Sequence, residues 1–210
     1  MLFDQSGNIQ TDCGTKYPDT DYQKLKDEAL KCNQCPLRSG AKQVVMGKGN
    51  LNKKIMFIGE GPGADEDRLG EPFVGKAGQL LNRILAATKI NREDIYITNM
   101  VKCRPPHNRN PLSSEIEKCT PILLAEIKII NPKVIVPLGS IALKHLLDEN
   151  ASITKMRGKW IQRGKYFLLP TFHPSYLLRN PAMKKAAWHD FQLIKKSIER
   201  IEELLLNDQV

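Results

Sequence analysis

The sequence predicts an α/β fold of three layers, in which helices cover both faces of a central, mainly parallel sheet of four strands. Short apolar segments that end in glycine or a polar residue alternate with longer segments whose apolar residues recur at helical spacing. This alternation is typical of a parallel sheet with helices on both faces. The chain has 210 residues, 41% of them hydrophobic, which suits one domain with a sizeable core.

The elements follow one another along the chain. Residues 1–20 are polar and rich in aspartate, and we expect a flexible tail there, followed by a single domain over residues 21–210. The predicted helices span Asp21–Lys31, Lys76–Lys89, Ser113–Ile130, Ser140–Leu147 and Ala182–Leu205. The predicted strands span Lys54–Gly59, Asp94–Asn99 and Lys133–Leu138, followed by a hairpin over Trp160–Leu169. Ser113 or Ser114 is the expected N-cap of the third helix, with Glu117 available for a capping box.

Three polar or glycine-rich segments follow the predicted strands: Gly59–Gly63, Asn99 and His173. Because ligands of such sheets bind at the carboxyl ends of the strands, we expect these segments to meet at one edge. The glycine-rich segment lacks the third glycine of a dinucleotide-binding motif and the Gly-Lys-Ser/Thr of a P-loop. Three acidic residues at 65–67 would also repel phosphate. A dinucleotide site is therefore not expected.

The positive charge of the chain is concentrated near its end. The formal net charge is +9, and Ala151–Arg200 alone contains eleven Lys or Arg against two Asp or Glu. This segment is either a solvated surface or a face that binds the phosphates of DNA. No apolar run is long enough for a membrane span, and the start of the chain lacks the pattern of a secretory signal. We expect a cytoplasmic protein with no membrane association.

Four of the five cysteines form a plausible metal-ligand set. Cys32 and Cys35 make a C-x-x-C pair, Cys103 and Cys119 flank a loop, and Cys13 is left over. The odd number argues against a disulfide framework in an intracellular protein. Four thiolates suit either a [4Fe–4S] cluster or a structural zinc ion. The wide second spacing favours iron, and separate buried thiols are the alternative.

Three motifs together resemble the family 4 uracil-DNA glycosylases. They are Gly59–Gly63 with Pro72–Leu81, Thr98–Pro106 with Asn108–Pro111, and Phe172–Ser175. The resemblance runs in order from about Cys32 to Phe191, and the fold of that family agrees with the predicted one. It implies excision of uracil from DNA, with a [4Fe–4S] cluster held by Cys32, Cys35, Cys103 and Cys119.

The resemblance also implies a base-recognition site. Asn99 reads uracil, whose O4 acceptor and N3–H donor are reversed in cytosine. His173 stabilises the negative charge that develops on O2 as the bond breaks. Phe73 stacks on the base, although a core phenylalanine is the local alternative. Backbone N–H groups of the segment Gly59, Glu60 and Gly61 complete the expected uracil-binding set.

A carboxylate near the sugar could stabilise positive charge or position water, as in glycoside hydrolysis. Glu60 is the first candidate and Glu66 the second, while Asp65 and Asp67 are weaker ones that could equally cap a helix or face solvent. His107 lies in a short loop without a basic insertion, so we do not expect the covalent chemistry of a related branch.

The segment after His173 is expected to contact DNA. The predicted contacts are Arg157, Lys159, Arg163, Tyr176, Leu177, Arg179 and Lys184. Leu177 or Leu178 could insert into the duplex as a wedge, or both could lie in the core. We expect a monomer at the nucleoid that acts on uracil-containing DNA, and the sequence identifies no clamp or repair partner. The alternatives are a catalytically weak iron–sulfur module that binds damaged DNA, and a redox or metal protein with incidental surface charge.

Overall fold

The computed structural model describes residues 21–207, with side chains through residue 201. The predicted N-terminal tail and Cys13 lie outside the described residues. The helices are α1 (Tyr22–Leu30), α2 (Leu37–Gly40), α3 (Ala64–Leu69), α4 (Lys76–Ala87), α5 (Ser113–Ile130), α6 (Gly139–Leu146), α7 (Ile153–Met156), α8 (Pro174–Arg179) and α9 (Lys184–Asn207). The strands are β1 (Lys48–Gly49), β2 (Ile55–Gly59), β3 (Tyr96–Asn99), β4 (Val134–Pro137), β5 (Ile161–Arg163) and β6 (Tyr166–Leu168).

The strands form one sheet in the order β1-β3-β2-β4-β6-β5. The four central strands are parallel, and the two outer strands, β1 and β5, pair antiparallel with their neighbours. The α/β class is confirmed, but the described sheet has six strands where four were expected. β1 has only two residues, too few to show a periodic pattern, and β5 is the outer arm of the predicted hairpin.

The apolar side chains of β2 alternate between the two faces of the sheet. Ile55 and Phe57 pack in a cluster with residues of α4 and α9, whereas Met56 and Ile58 pack in a cluster with residues of α1, α5 and α6. Because every residue of β2 is buried, the strand reads in the sequence as a continuous apolar run. The three-layer arrangement follows from these two clusters.

The N-cap of α5 and the short helix α3 are among the differences from the prediction. The residue before α5 is Leu112 rather than a serine, and its backbone N–H donates to Glu115 at 2.8 Å, so the expected capping role of Glu117 is wrong. Helix α3 was not predicted at all, because six residues are too few to show a repeating apolar pattern.

The carboxyl ends of the strands gather the three predicted segments at one edge. β2 ends at Gly59 and β3 at Asn99. After β6 the chain continues to Thr171, which pairs with Leu138 beyond β4, and reaches His173 at the start of α8. None of the described helices is both long enough and apolar enough to cross a membrane.

Candidate active site

A cavity of about 520 Å³ opens at this edge of the sheet. Seven predicted site residues line it: Glu60, Gly61, Glu66, Phe73, Asn99, His173 and Arg179. Gly59 lies directly behind, since a Cβ at this position would collide with the side chains of Asn99 and Phe73. The ends of β2 and β3 and the start of α8 thus bring the predicted base-recognition residues together.

Asn99 carries an unpaired hydrogen-bond acceptor. The residue is 2% exposed and ends β3, where it pairs with Gly59 of β2. Its Oδ1 atom is the one buried side-chain nitrogen or oxygen of the described residues that has no hydrogen-bond partner. An unpaired buried acceptor costs about 1–3 kcal/mol, so this atom is suited to a donor that a ligand supplies.

Phe73 forms a wall of the cavity in an uncommon backbone conformation. Its φ angle is 55°, in the left-handed region that phenylalanine rarely adopts. Gly78 of α4 packs so closely behind it that a Cβ there would overlap the Phe73 carbonyl group. The Phe73 ring is 5% exposed, and its centroid lies 5.8 Å from that of His173. Residues held in such conformations cluster at functional sites.

Glu66 organises the loop that carries Phe73. Its two carboxylate oxygens accept the backbone N–H groups of Gly63 at 3.1 Å, Val74 at 2.9 Å and Gly75 at 2.8 Å. The side chain is buried and joins the start of α3 to the start of α4. This geometry favours a positioning role for Glu66 over its predicted role beside the sugar.

The remaining acidic residues differ in their surroundings. Asp67 is buried and accepts the backbone N–H of Lys42 at 2.9 Å, while Asp65 is exposed. Glu60 is half-buried in the cavity wall. Burial raises the pKa of the Glu60 carboxyl above 4.5, and the Arg179 guanidinium partly offsets the rise. Glu60 is therefore the carboxylate best placed to act on a substrate.

His173 caps the start of α8 with its own side chain. Its Nδ1 atom accepts the backbone N–H of Ser175 at 3.1 Å and lies 2.8 Å from the Ser175 hydroxyl oxygen. In the neutral ring the proton therefore resides on Nε2. Burial, with a smaller contribution from Arg179, lowers the pKa of His173 from 6.5 to about 4, so the ring is neutral near pH 7. Ser175 was not predicted as a site residue.

The wedge prediction for Leu177 is wrong. Leu177 is fully buried with Leu80 and Phe172, whereas Leu178 is 39% exposed. Successive helical residues point about 100° apart, so only one of the two leucines can face solvent. Tyr176 is half-buried, and its ring packs on Phe172 with the centroids 4.9 Å apart.

The side chains predicted to bind phosphate differ in exposure, in ion pairing and in their distance from the cavity. Arg157 is bound to Asp190, with Nε 3.0 Å from Oδ2, because burial of the carboxylate requires a partner. Arg163 faces the first residue of β6, at the opposite end of the parallel strands from the cavity. Arg157 thus already has an acidic partner and Arg163 lies away from the cavity, whereas Lys159 and Lys184 have exposed side chains.

Besides Ser175, three polar or charged residues that were not assigned a role from the sequence line the cavity. Lys76 begins α4, and Asn108 and Arg109 belong to the loop after β3. Arg109 forms an ion pair with Glu115 at 2.6 Å. Asn108 and Arg109 stand in the central motif, but the motif itself does not show which of its side chains face inward.

The four predicted metal ligands line a second, smaller cavity. It lies between α1, the loop after β3, and α5, and its lining includes Cys32, Cys35, Cys103 and Cys119. The backbone N–H of Lys102 donates to the Cys119 Sγ atom at 3.3 Å. Burial raises the pKa of Cys103 and of Cys119 to about 12. No group of three or more His, Cys, Asp or Glu side chains within residues 21–201 is arranged to hold a metal ion.

Several known proteins are similar to this chain over most of its length. The family model of the uracil DNA glycosylase superfamily matches residues 46–192. A type-4 uracil-DNA glycosylase of Thermotoga maritima is 47% identical over 182 residues, which cover 84% of this chain and 94% of that protein. Proteins of the same name from Saccharolobus solfataricus and Sulfurisphaera tokodaii are 43% and 42% identical, over 83% of this chain and 85% and 83% of their own lengths. The chain belongs to the type-4 uracil-DNA glycosylase family.

Proposed function

We propose that the protein hydrolyses the N-glycosidic bond of deoxyuridine in DNA, releasing uracil and leaving an abasic site for base-excision repair. The observation that carries this proposal is the buried Asn99 carboxamide, whose Oδ1 atom has no partner, in a cavity walled by Phe73 and His173. Membership of the type-4 family supports it independently.

Asn99 would read the edge of the base. Its Oδ1 atom accepts the N3–H group of uracil, and its Nδ2 group donates to O4. Cytosine has an acceptor at N3 and a donor at N4, so both contacts would be mispaired in a buried site. Mispairing of this kind can discriminate by about 10⁴-fold. The Phe73 ring, held close by Gly59 and Gly78, would stack on the base and fix its plane.

His173 would stabilise the leaving group. As the bond breaks, negative charge develops on O2 of uracil, and a donor aimed at O2 lowers the energy of the transition state more than that of the bound substrate. Because Ser175 occupies Nδ1, the Nε2–H group of the neutral ring is free to donate. A neutral ring requires no proton from solution for this role.

Glu60 would act on the sugar. The transition state carries positive charge on the deoxyribose, which the Glu60 carboxylate stabilises from the cavity wall. The same carboxylate can orient the attacking water. Water then supplies the hydroxyl group to C1′ and a proton to the departing uracil anion, which balances the hydrolysis.

The target nucleotide must leave the base stack to enter the cavity. Leu178 is exposed beside the cavity residue Arg179, so it is placed to fill the gap that the flipped base leaves. The exposed side chains of Arg179, Lys184 and Lys159 would hold phosphates. We propose that the protein does this as a monomer.

We further propose that the four cysteines hold a [4Fe–4S] cluster. The support is a set of four thiols around one cavity, with a backbone N–H donated to Cys119. In a [4Fe–4S] cluster each of the four thiolates would bind its own iron. When bound, the cluster would cross-link the segment after α1 to α5 and to the loop after β3.

Iron and acid-labile sulfide content, measured on protein purified without oxygen, tests the cluster. We expect four of each per chain, and replacement of Cys103 by Ser to lower both. One zinc ion per chain with no sulfide would contradict the proposal.

The glycosylase proposal is tested with three otherwise identical duplex oligonucleotides that contain one uracil, cytosine or thymine opposite guanine. We expect free uracil and an alkali-labile site from the first duplex alone. Tight binding to the uracil duplex without release of the base would instead favour a damage-binding module.

A further inference from the structure

A buried lysine contacts the residue that would read the base. Lys102 is 1% exposed, and its ammonium group makes three hydrogen bonds. These go to the hydroxyl oxygen of Thr98 at 2.6 Å, the backbone carbonyl oxygen of Asn99 at 2.7 Å and the carboxylate of Glu126 at 2.6 Å. All three ammonium protons are therefore used.

Glu126 holds this lysine in place. It is fully buried, and its second oxygen accepts the backbone N–H of Gly47 and the hydroxyl of Tyr96, both at 2.9 Å. The Thr98 hydroxyl donates to the oxygen that also binds Lys102, at 2.9 Å. Both charges thus have a full set of partners, which a buried ion pair needs if it is not to destabilise the fold.

Lys102 contacts Asn99 at the end of β3, where no described strand lies beside β3 on its outer side. β1 covers only Tyr96 and Ile97, so the outer edge of β3 has no strand partner at its carboxyl end. The inner edge at Asn99 is fixed by pairing with Gly59. Lys102 supplies the missing donor on the outer side, and the strand end is held from both directions.

We propose that Lys102, anchored by Glu126, is a positioning residue for base recognition, which holds the end of β3 so that the Asn99 carboxamide meets the edge of uracil. This inference rests on the proposed function. A buried ion pair by itself is a poor source of stability, because apolar side chains of similar volume often replace such pairs without loss. The connection to Asn99 gives this pair a role beyond stability.

A double-mutant cycle separates positioning from general stability. The Lys102→Met/Glu126→Gln variant removes both charges at similar volume and leaves the Asn99 carbonyl without a donor. We expect single-turnover uracil release to fall about 10- to 100-fold, since a displacement near 1 Å can have that effect. In the Asn99→Ala background, where no carboxamide remains to be positioned, the same pair of changes should alter the rate by less than about threefold.

The matched control is Lys53→Met/Asp94→Asn, which removes a more exposed ion pair whose Lys53 Nζ and Asp94 Oδ1 atoms lie 3.1 Å apart. This variant should retain the wild-type rate. Thermal unfolding identifies variants that do not fold. If the Lys102→Met/Glu126→Gln variant does not fold, Thr98→Val, which keeps both charges and removes one hydrogen-bond partner of Lys102, enters the same cycle, with a smaller loss that should again vanish in the Asn99→Ala background.

Equal losses in both backgrounds, or no loss at all beside an active wild type, would overturn the positioning role. A wild type that releases no uracil would instead overturn the proposed function, so the two failures are distinguishable.

Discussion

His173 and Glu60 have shifted pKa values, and both shifts determine how the rate should depend on pH. The proposed chemistry needs an ionised Glu60 and a neutral His173. Because burial raises the pKa of Glu60 above 4.5, acidification protonates Glu60 first, and His173 becomes charged only near pH 4. Single-turnover uracil release should therefore be constant near neutral pH, decrease as the pH falls through the pKa of Glu60, and decrease again near pH 4.

The Glu60→Gln variant should be slower throughout and should lose the first of these two decreases. A wild-type rate that increases as the pH is lowered from 7 to 5 would contradict the assigned protonation states.

Leu178 is the residue that should distinguish duplex from single-stranded DNA. A wedge is needed only where a base must leave a stack, so Leu178→Ala should slow uracil release from a duplex about tenfold and leave single-stranded DNA nearly unaffected. Leu69→Ala removes a leucine of similar exposure on α3 and is the control. Equal effects of Leu178→Ala on both substrates would contradict the wedge.

For single residues, the sequence motifs indicate which residues form the site but not the directions in which their side chains point. Asn99, Phe73 and His173 were predicted, and they meet in one cavity. The choice between Leu177 and Leu178 depends on the rotation of α8, and a helix of six residues shows too little periodicity to define it. The unpaired Oδ1 atom of Asn99 depends on packing between strands, which a single sequence does not display.

Among the structural elements, α4 packs very closely against the loop that carries Phe73, so a larger residue at their contact cannot be accommodated without movement. A Cβ at Gly78 would overlap the Phe73 carbonyl group, so Gly78→Ala must displace the loop. We expect a loss of about 1–3 kcal/mol in the free energy of unfolding and at least a tenfold loss of uracil release. Gly40→Ala, where a Cβ would meet nothing within 4 Å, is the control and should change neither. Wild-type activity in Gly78→Ala would show that the loop position is unimportant.

The long elements were predictable because burial imposes a pattern on them. All residues of β2 and β4 are buried, and α5 has the predicted bounds. Short elements such as β1 and α3 were missed, because the contacts that hold them come from distant segments. Lys48 of β1 pairs with Ile97, and the carboxylate of Glu66 in α3 binds the start of α4.

Across the whole molecule, the positive charge near the end of the chain was predicted to form a phosphate-binding face, but sequence position alone does not show which charges are free. Arg157 is neutralised by Asp190, which lies 33 positions away in the chain. Arg179 remains exposed at the cavity, and Arg163 lies at the other end of the sheet. The different surroundings of these three arginines can therefore be recognised only in the folded structure.

DNA affinity measured over a series of salt concentrations checks this assignment. Arg179→Ala should weaken binding and reduce the slope of log affinity against log salt by about 1, because one phosphate contact is lost. Arg163→Ala should leave the slope unchanged. A reduced slope for Arg163→Ala alone would place the DNA on the opposite end of the sheet.

The proposed function depends above all on recognition of uracil by the buried Asn99 carboxamide. The most direct measurement compares single-turnover uracil release by the wild type, Asn99→Ala and Asn108→Ala, whose exposed asparagine lines the same cavity. We predict a loss of about 10³-fold or more for Asn99→Ala, because a buried group left unpaired discriminates on that scale, and a change of only a few fold for Asn108→Ala. A wild-type rate in a folded Asn99→Ala variant would show that Asn99 does not read the base.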